Sequence, residues 1–222
     1  MASSTTKRNI HPIWLVVTVL LVLVADQSLK YWIKTNFAFG EERHIAGDWF
    51  ILHFTENNGM AFGMEFAGDY GKLILTLFRI LAVGGIIYYI IYQLKNGGHK
   101  GFLICLALIL AGAVGNIIDS VFYGELFSDI NRYNGGWFYG QVVDMLYFPI
   151  IESHYPDWFP FYAGEEFIFF RPVFNLADAS ISLGVIIIFL FQGKFFKKKD
   201  KIMEEVKEEV PMPPATDGAI NT

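Results

Sequence analysis

Charge is scarce in this chain, and cysteine scarcer still. Charged residues make up 18% of the 222 residues, and Cys105 is the one cysteine. A lone cysteine excludes an intrachain disulfide. Cys105 stands inside the apolar run FLICLALILAGAVG with no partner histidine nearby, so it reads as a packing residue rather than a nucleophile. The five histidines (His11, His44, His53, His99, His154) are scattered, and none forms a spacing such as HExxH. The sequence therefore offers no metal ligand set, no cofactor motif, and no Ser-His or Cys-His pairing. Basic residues interleaved with aromatics are also missing, which leaves no nucleic-acid surface. The net charge of −5 says little about partners, because Glu204, Glu205, Glu208 and Glu209 cluster in a polar tail. No internal repeat is visible.

What fills the chain instead is apolar. Hydrophobic residues reach 54% and aromatics 17%, with a mean hydropathy of +0.39, well above an average soluble domain. Four runs approach the roughly 20 apolar residues that a spanning helix needs: Ile13–Ile33, Leu73–Leu94, Phe102–Phe122 and Phe174–Phe191. The first follows Lys7 and Arg8 like a secretory signal. Only Ala25-Asp26 stands where a small-residue cleavage site would be, so it reads as a retained helix. The expected fold is an all-α integral membrane protein of four transmembrane helices, forming one membrane-embedded domain over residues 1–199. Residues 200–222, acidic and then Pro-rich, are expected to be a disordered cytoplasmic tail.

Orientation follows from lysine and arginine. Lys7 and Arg8, then Lys95 and Lys100, then Lys194, Lys197, Lys198, Lys199 and Lys201 flank alternate helix ends. The positive-inside rule places all three clusters, and both termini, in the cytoplasm. The intervening segments, about 36–71 and 123–172, then face outward and carry interfacial aromatics. The first contains GDWFILHFTENNGMAFGM, which reads as a short strand pair with Asn57-Asn58-Gly59 as turn chemistry, a small extracytoplasmic β element between helices one and two.

Against this background the acids stand out. Asp26 and Asp119 close apolar runs, Asp178 opens the last, and Asp144 lies in the short stretch VVDMLYFP. An ionised carboxylate at membrane depth costs roughly 2.5 to 3.5 kcal/mol on insertion scales, so such residues are functional candidates. Asp26 and Lys30 share a helix face and can pair, either to ease insertion or to support a site. Asn116 with Asp119, and Asn175 with Asp178, repeat an Asn-x-x-Asp spacing at the same expected depth; Asn175 also reads as a helix N-cap. Polar contacts between helices would explain the set without chemistry. Two facing carboxylates in a poorly solvated site share a proton, one serving as base on a water and the other as acid on a carbonyl. Small residues Gly115 and Ala177 would admit either a close backbone or that water between helices.

The motifs DQSLK (Asp26–Lys30), NNGMAFG (Asn57–Gly63), GNIID (Gly115–Asp119), VVD (Val142–Asp144) and FNLAD (Phe174–Asp178), in that order, resemble lipoprotein signal peptidase, also called signal peptidase II. The resemblance covers Asp26 to about Phe191. It implies an inner-membrane aspartic endopeptidase that cuts bacterial prolipoproteins before their diacylglyceryl-modified cysteine. It further implies a catalytic pair at Asp144 and Asp178, with supporting positions at Asp26, Lys30, Asn57, Gly59, Asn116, Asp119, Asn175 and Ala177. No cofactor or metal is implied. The implied partners are lipid-modified prolipoproteins, membrane lipids and globomycin-type inhibitors, and a monomer is expected. In that family GNxxD is usually followed by Arg, whereas position 120 here is Ser, so that ion pair is either absent or made by another residue, Arg132 being one candidate. The stretches on either side of Asp144 are also longer than usual, and the second holds the aromatic insert HYPDWFPFYAGEEFIFF, an interfacial anchor or a gate. A proton-coupled transporter and a metal-dependent lipid-synthesis enzyme are the other readings; four helices without inverted repeats disfavour the first, and acids on separate segments the second.

Overall fold

The computed structural model describes residues 10–57, 68–149, 151–154, 166–169 and 172–209. Helix α1 (Pro12–Asn36) opens with Pro12 in its first turn and the His11 ring accepting the Ile13 N–H. Strands β1 (Glu42–Ala46) and β2 (Phe50–Asn57) follow, then α2 (Gly68–Lys95) and α3 (Lys100–Ile118). The chain continues through one wide π turn (Asp119–Tyr123) and a short α4 (Gly124–Leu126). Strands β3 (Val142–Tyr147), β4 (Ile151–His154) and β5 (Glu166–Phe169) precede the last helix, α5 (Leu176–Glu209). Among the described residues, four helices are long and apolar enough to cross a membrane.

Helix α3 is the hub. Half of its most apolar stretch is buried, against 11% for α1 and α2 and 17% for α5. It packs on α1, α2 and α5, while the outer helices turn large residues such as Leu21, Leu81 and Phe189 outward. Outward apolar side chains suit lipid as solvent, which leaves close packing and polar contacts to hold helices together. Gly112 shows how close that packing is: a Cβ there would lie 2.2 Å from the Ala177 carbonyl oxygen.

The β element is larger than a strand pair. It is a three-stranded antiparallel sheet of order β1-β2-β3, in which β3 arrives from the distant loop after α4. The β1–β2 turn lies at Gly47, whose φ of 52° suits glycine, and not at Asn57-Asn58-Gly59 as expected. Asn57 is instead the last residue of β2, opposite Val142; Asn58 and Gly59 lie outside the described residues. Strand β3 is buried on both faces up to Leu146, so its sequence shows an apolar run with no alternation to mark it as a strand. Beyond the sheet, β4 and β5 form an antiparallel pair, Ile151 opposite Phe169 and His154 opposite Glu166. The centre of the aromatic insert lies outside the described residues.

Two apolar clusters pin the molecule. One, at the sheet end, joins Ile33 and Phe37 to Leu52, Phe54, Tyr123, Val143, Met145 and Leu146. The other, at the opposite end, joins Leu15, Ile90, Phe102, Leu103 and Leu106. Helix α5 runs on to Glu209, past the boundary at Asp200 expected for the disordered tail. DKIMEEVKEE is rich in strong helix formers, which outweigh its polarity. Residues 210–222 lie outside the described ones.

Candidate active site

Backbone pairing brings two distant motifs together. Leu146 N–H donates to the Phe174 carbonyl at 2.7 Å and Phe174 N–H to the Leu146 carbonyl at 3.0 Å. This bridge lays the residues before α5 against β3, so that Asn175 and Asp178 face Asp144. Asn175 caps α5 as its sequence suggests: its Oδ1 accepts the Asp178 N–H at 2.9 Å.

The side chains then fall into a fixed order. Asn175 Nδ2 donates to Asp144 Oδ1 at 2.7 Å and to Asn116 Oδ1 at 3.2 Å. Asn116 Nδ2 donates to Asp178 Oδ1 at 2.7 Å. Asn57 Nδ2 donates to the other oxygen of Asp144. The amide orientations follow from the partners. Lysine only donates, so Asn116 must turn Oδ1 to Lys30 Nζ, 3.0 Å away, which leaves its Nδ2 for Asp178. The Asp178 N–H likewise holds Asn175 Oδ1, and the Nδ2 of Asn175 is left for Asp144.

Asp144 is 2% exposed, whereas Asp178 is half-buried. Burial, and then the Asp178 charge, push the Asp144 carboxyl up to about 7. A carboxyl held near 7 can both carry and release a proton at neutral pH.

Behind this pair lies a fully buried charged triad. Lys30 Nζ is 2.9 Å from Asp26 Oδ2 and 2.8 Å from Asp119 Oδ2. Asp26 Oδ1 accepts the Ala177 N–H at 2.9 Å, and Asp119 Oδ2 the Val143 N–H at 3.3 Å. Expected site residues Asp26, Lys30, Asn57, Asn116, Asp119, Asp144, Asn175, Ala177 and Asp178 thus form one connected cluster. Gly59 lies outside the described residues. Arg132 does not replace the arginine expected after Asp119: its guanidinium lies over the Phe39 ring at 4.7 Å, and Ser120 Oγ donates to the Asn116 carbonyl. Asp119 takes its charge partner from α1 instead. Of the two uses expected for the space beside Gly115, close approach is the one seen: the Asp26 carboxylate and Ala177 fill it.

A family model described as signal peptidase (SPase) II matches residues 18–193. The chain belongs to the signal peptidase II family. A lipoprotein signal peptidase of Porphyromonas gingivalis is 49% identical over 181 residues, covering 77% of this chain and 78% of the relative. One of Amoebophilus asiaticus is 44% identical over 176 residues, covering 77% and 74%. A solved bacterial membrane enzyme shares the fold with a TM-score of 0.57 at 24% identity, covering 83% of this chain and 90% of the other. The protein is thus a multi-pass membrane protease of the signal peptidase II family.

Three further groups at the family site escaped sequence reasoning. Gln27 Nε2 donates to Asp119 Oδ1 at 2.9 Å and to the Gly115 carbonyl at 3.2 Å, and its Oε1 accepts from the Tyr123 hydroxyl. Lys34 pairs with Glu56 and donates to Asn131 Oδ1 at 2.7 Å. Arg79, half-buried on α2, lies within electrostatic reach of Asp178, Asp119 and Asp144. Signals existed for two of them: Lys34 extends the Asp26, Lys30 line by four residues, and Arg79 is a cation inside an apolar run. Gln27 carried none beyond its neighbour Asp26.

Proposed function

We propose that this protein cleaves signal peptides from bacterial prolipoproteins, before the diacylglyceryl-modified cysteine, with Asp144 and Asp178 as the catalytic pair. The observation that carries the reading is the joining of these two carboxylates through Asn116 and Asn175. The ionised member of the pair removes a proton from a water, whose oxygen attacks the scissile carbonyl carbon. The protonated member gives its proton to the carbonyl oxygen, and a gem-diol forms. On breakdown the C–N bond breaks, one gem-diol hydroxyl returns its proton to the pair, and the leaving cysteine nitrogen takes up a proton. Signal peptide and mature lipoprotein then separate, and the pair again holds one proton.

The site's place at the sheet end of the bundle suits such a substrate, whose membrane helix and acyl chains bring the cut point to the interface. The reading sets the protein in the bacterial inner membrane with both termini cytoplasmic and the sheet outside, in line with the basic residues at the opposite helix ends. Asp26, Lys30, Asn57, Asn116, Asp119, Asn175 and Ala177 support the pair, as Gly59 does in the motif it shares with Asn57. The protein acts as a monomer among membrane lipids and is blocked by globomycin-type cyclic peptides.

The test incubates purified protein in bilayers with a lipid-modified prolipoprotein, its unlipidated form and a chelator arm. A shift equal to the signal peptide, dependent on lipidation and indifferent to chelator, is expected. Absence of cleavage in the wild type, or loss of it with chelator, would overturn the reading.

A further inference from the structure

The Asp26–Lys30–Asp119 triad makes a pair of contacts whose symmetry points beyond charge neutralisation. Each acid accepts the backbone N–H of the residue immediately before one of the two paired aspartates. Asp26 holds Ala177, next to Asp178, at 2.9 Å. Asp119 holds Val143, next to Asp144, at 3.3 Å. Lys30 lies between the acids at 2.9 and 2.8 Å, and its third contact, at 3.0 Å, orients Asn116 toward Asp178. Gln27 closes the far side, donating to Asp26 Oδ2 at 3.2 Å and Asp119 Oδ1 at 2.9 Å.

Strand β3 and the start of α5 also meet through Asn175, which donates to Asp144 and accepts the Asp178 N–H. Strand β3 hangs in the sheet, while α5 packs on α3. Their backbones meet at the Leu146–Phe174 bridge, two residues beyond Asp144 and four before Asp178. The asparagines hold the carboxylate ends, but they leave the backbone just before each aspartate to be fixed by other contacts. We propose that Asp26, Lys30 and Asp119 form a clamp that sets the gap between Asp144 and Asp178 by gripping the N–H before each. They are positioning residues: they meet no substrate, and all three are at most 1% exposed. The inference rests on the peptidase reading above and adds which atoms hold the geometry.

A purely electrostatic support would treat Asn and Ala replacements of Asp119 alike, since both remove the charge. A clamp distinguishes them, because Asn keeps an oxygen for the Val143 N–H. Displacement of a catalytic group by about 1 Å costs on the order of 100-fold in turnover. The expected result for Asp119→Ala is therefore a kcat loss on that order with KM little changed, while Asp119→Asn recovers about tenfold of the loss.

Gly115→Ala is the companion variant, since it removes no charge or hydrogen-bonding group. Its Cβ would lie 2.9 Å from Asp26 Oδ2, the oxygen paired with Lys30, and 3.2 Å from the Ala177 Cβ, so Asp26 and Ala177 must shift against one another. It should lower kcat and leave KM near the wild-type value, with thermal unfolding in detergent verifying the folded fraction. Equal kcat for Asp119→Ala and Asp119→Asn would overturn the clamp. So would unchanged kcat in Gly115→Ala, or a loss confined to KM. A wild type that fails to cleave would overturn the peptidase reading itself, and the clamp with it.

Discussion

A carboxylate gives up several kcal/mol of hydration when it leaves water, and Asp144 has given up nearly all of it. The amide donors of Asn57 and Asn175 return part, one to each oxygen. What they do not return appears as the retained proton, with Asp144 held up to about 7. The sign of the pH response follows. The folded value lies above the ordinary value of 3.8, so protonation of Asp144 favours the folded state fully below about 3.8. That contribution is lost as pH rises through about 7. Cleavage should accordingly fall on the alkaline side with a midpoint near 7, as Asp144 loses its proton. In Asp144→Asn the drop in unfolding temperature between pH 5 and pH 8 should shrink, and scanning calorimetry in detergent would read it. Asp144→Asn and Asp178→Asn should each remove at least about 1,000-fold of kcat, and the double variant should be little worse than either, because the pair acts as a unit. Substantial cleavage by Asp144→Asn would exclude it from catalysis.

At the scale of elements, the contact of α3 with α5 sets how deep the site lies. Gly112 and Gly184 let the two helices approach until a Cβ at either would meet the opposing backbone, at 2.2 and 2.8 Å. Gly112→Val should destabilise the protein by about 1–3 kcal/mol, the usual cost of overpacking, and should lower turnover with it. Thermal unfolding and single-turnover cleavage would separate the two effects. The far end of α5 behaves differently, since its last turns continue beyond the apolar stretch ending at Phe196. Truncation after Lys199 removes ten helical residues remote from the acids, and peptidase activity should survive. The paired strands β4 and β5 include the two ends of the aromatic insert. If the insert only anchors, replacing residues 155–165 with a Gly/Ser linker should lower stability in detergent and leave KM for lipidated substrate unchanged. A raised KM would make it a gate over the dyad.

For the molecule as a whole, orientation is the property that ties fold to function. With its basic helix ends inside, an impermeant thiol reagent applied to intact cells should label Asp129→Cys and spare Asn96→Cys. Both positions are exposed, at opposite ends of the bundle, and the native Cys105 is buried. The reverse labelling pattern would invert the topology and leave the site on the wrong side for its substrate.

Much of this was legible in the residues. Spanning helices announce themselves because every backbone polar group in lipid must be paired within its own segment, so the apolar run and the element coincide. The aspartates were legible for the complementary reason: a charge in such a run is costly enough to require a cause. The Asp26–Lys30 pairing follows from one helix turn. What the sequence could not express is which partner a polar group finds across the fold. The residues left open whether Asp119 has a charge partner in place of the family's arginine; it has Lys30 from α1, because helix packing brings α1 and α3 together at that depth. Strand β3 was hidden because both of its faces are buried, which erases the alternation that marks a strand. The residues by themselves determined the membrane class, the helix count and the identity of the acids, since these depend on local hydration and periodicity. The tertiary structure alone decided that Val143 and Ala177 are held by Asp119 and Asp26, because hydrogen bonds between segments more than twenty residues apart depend on packing that no local pattern encodes.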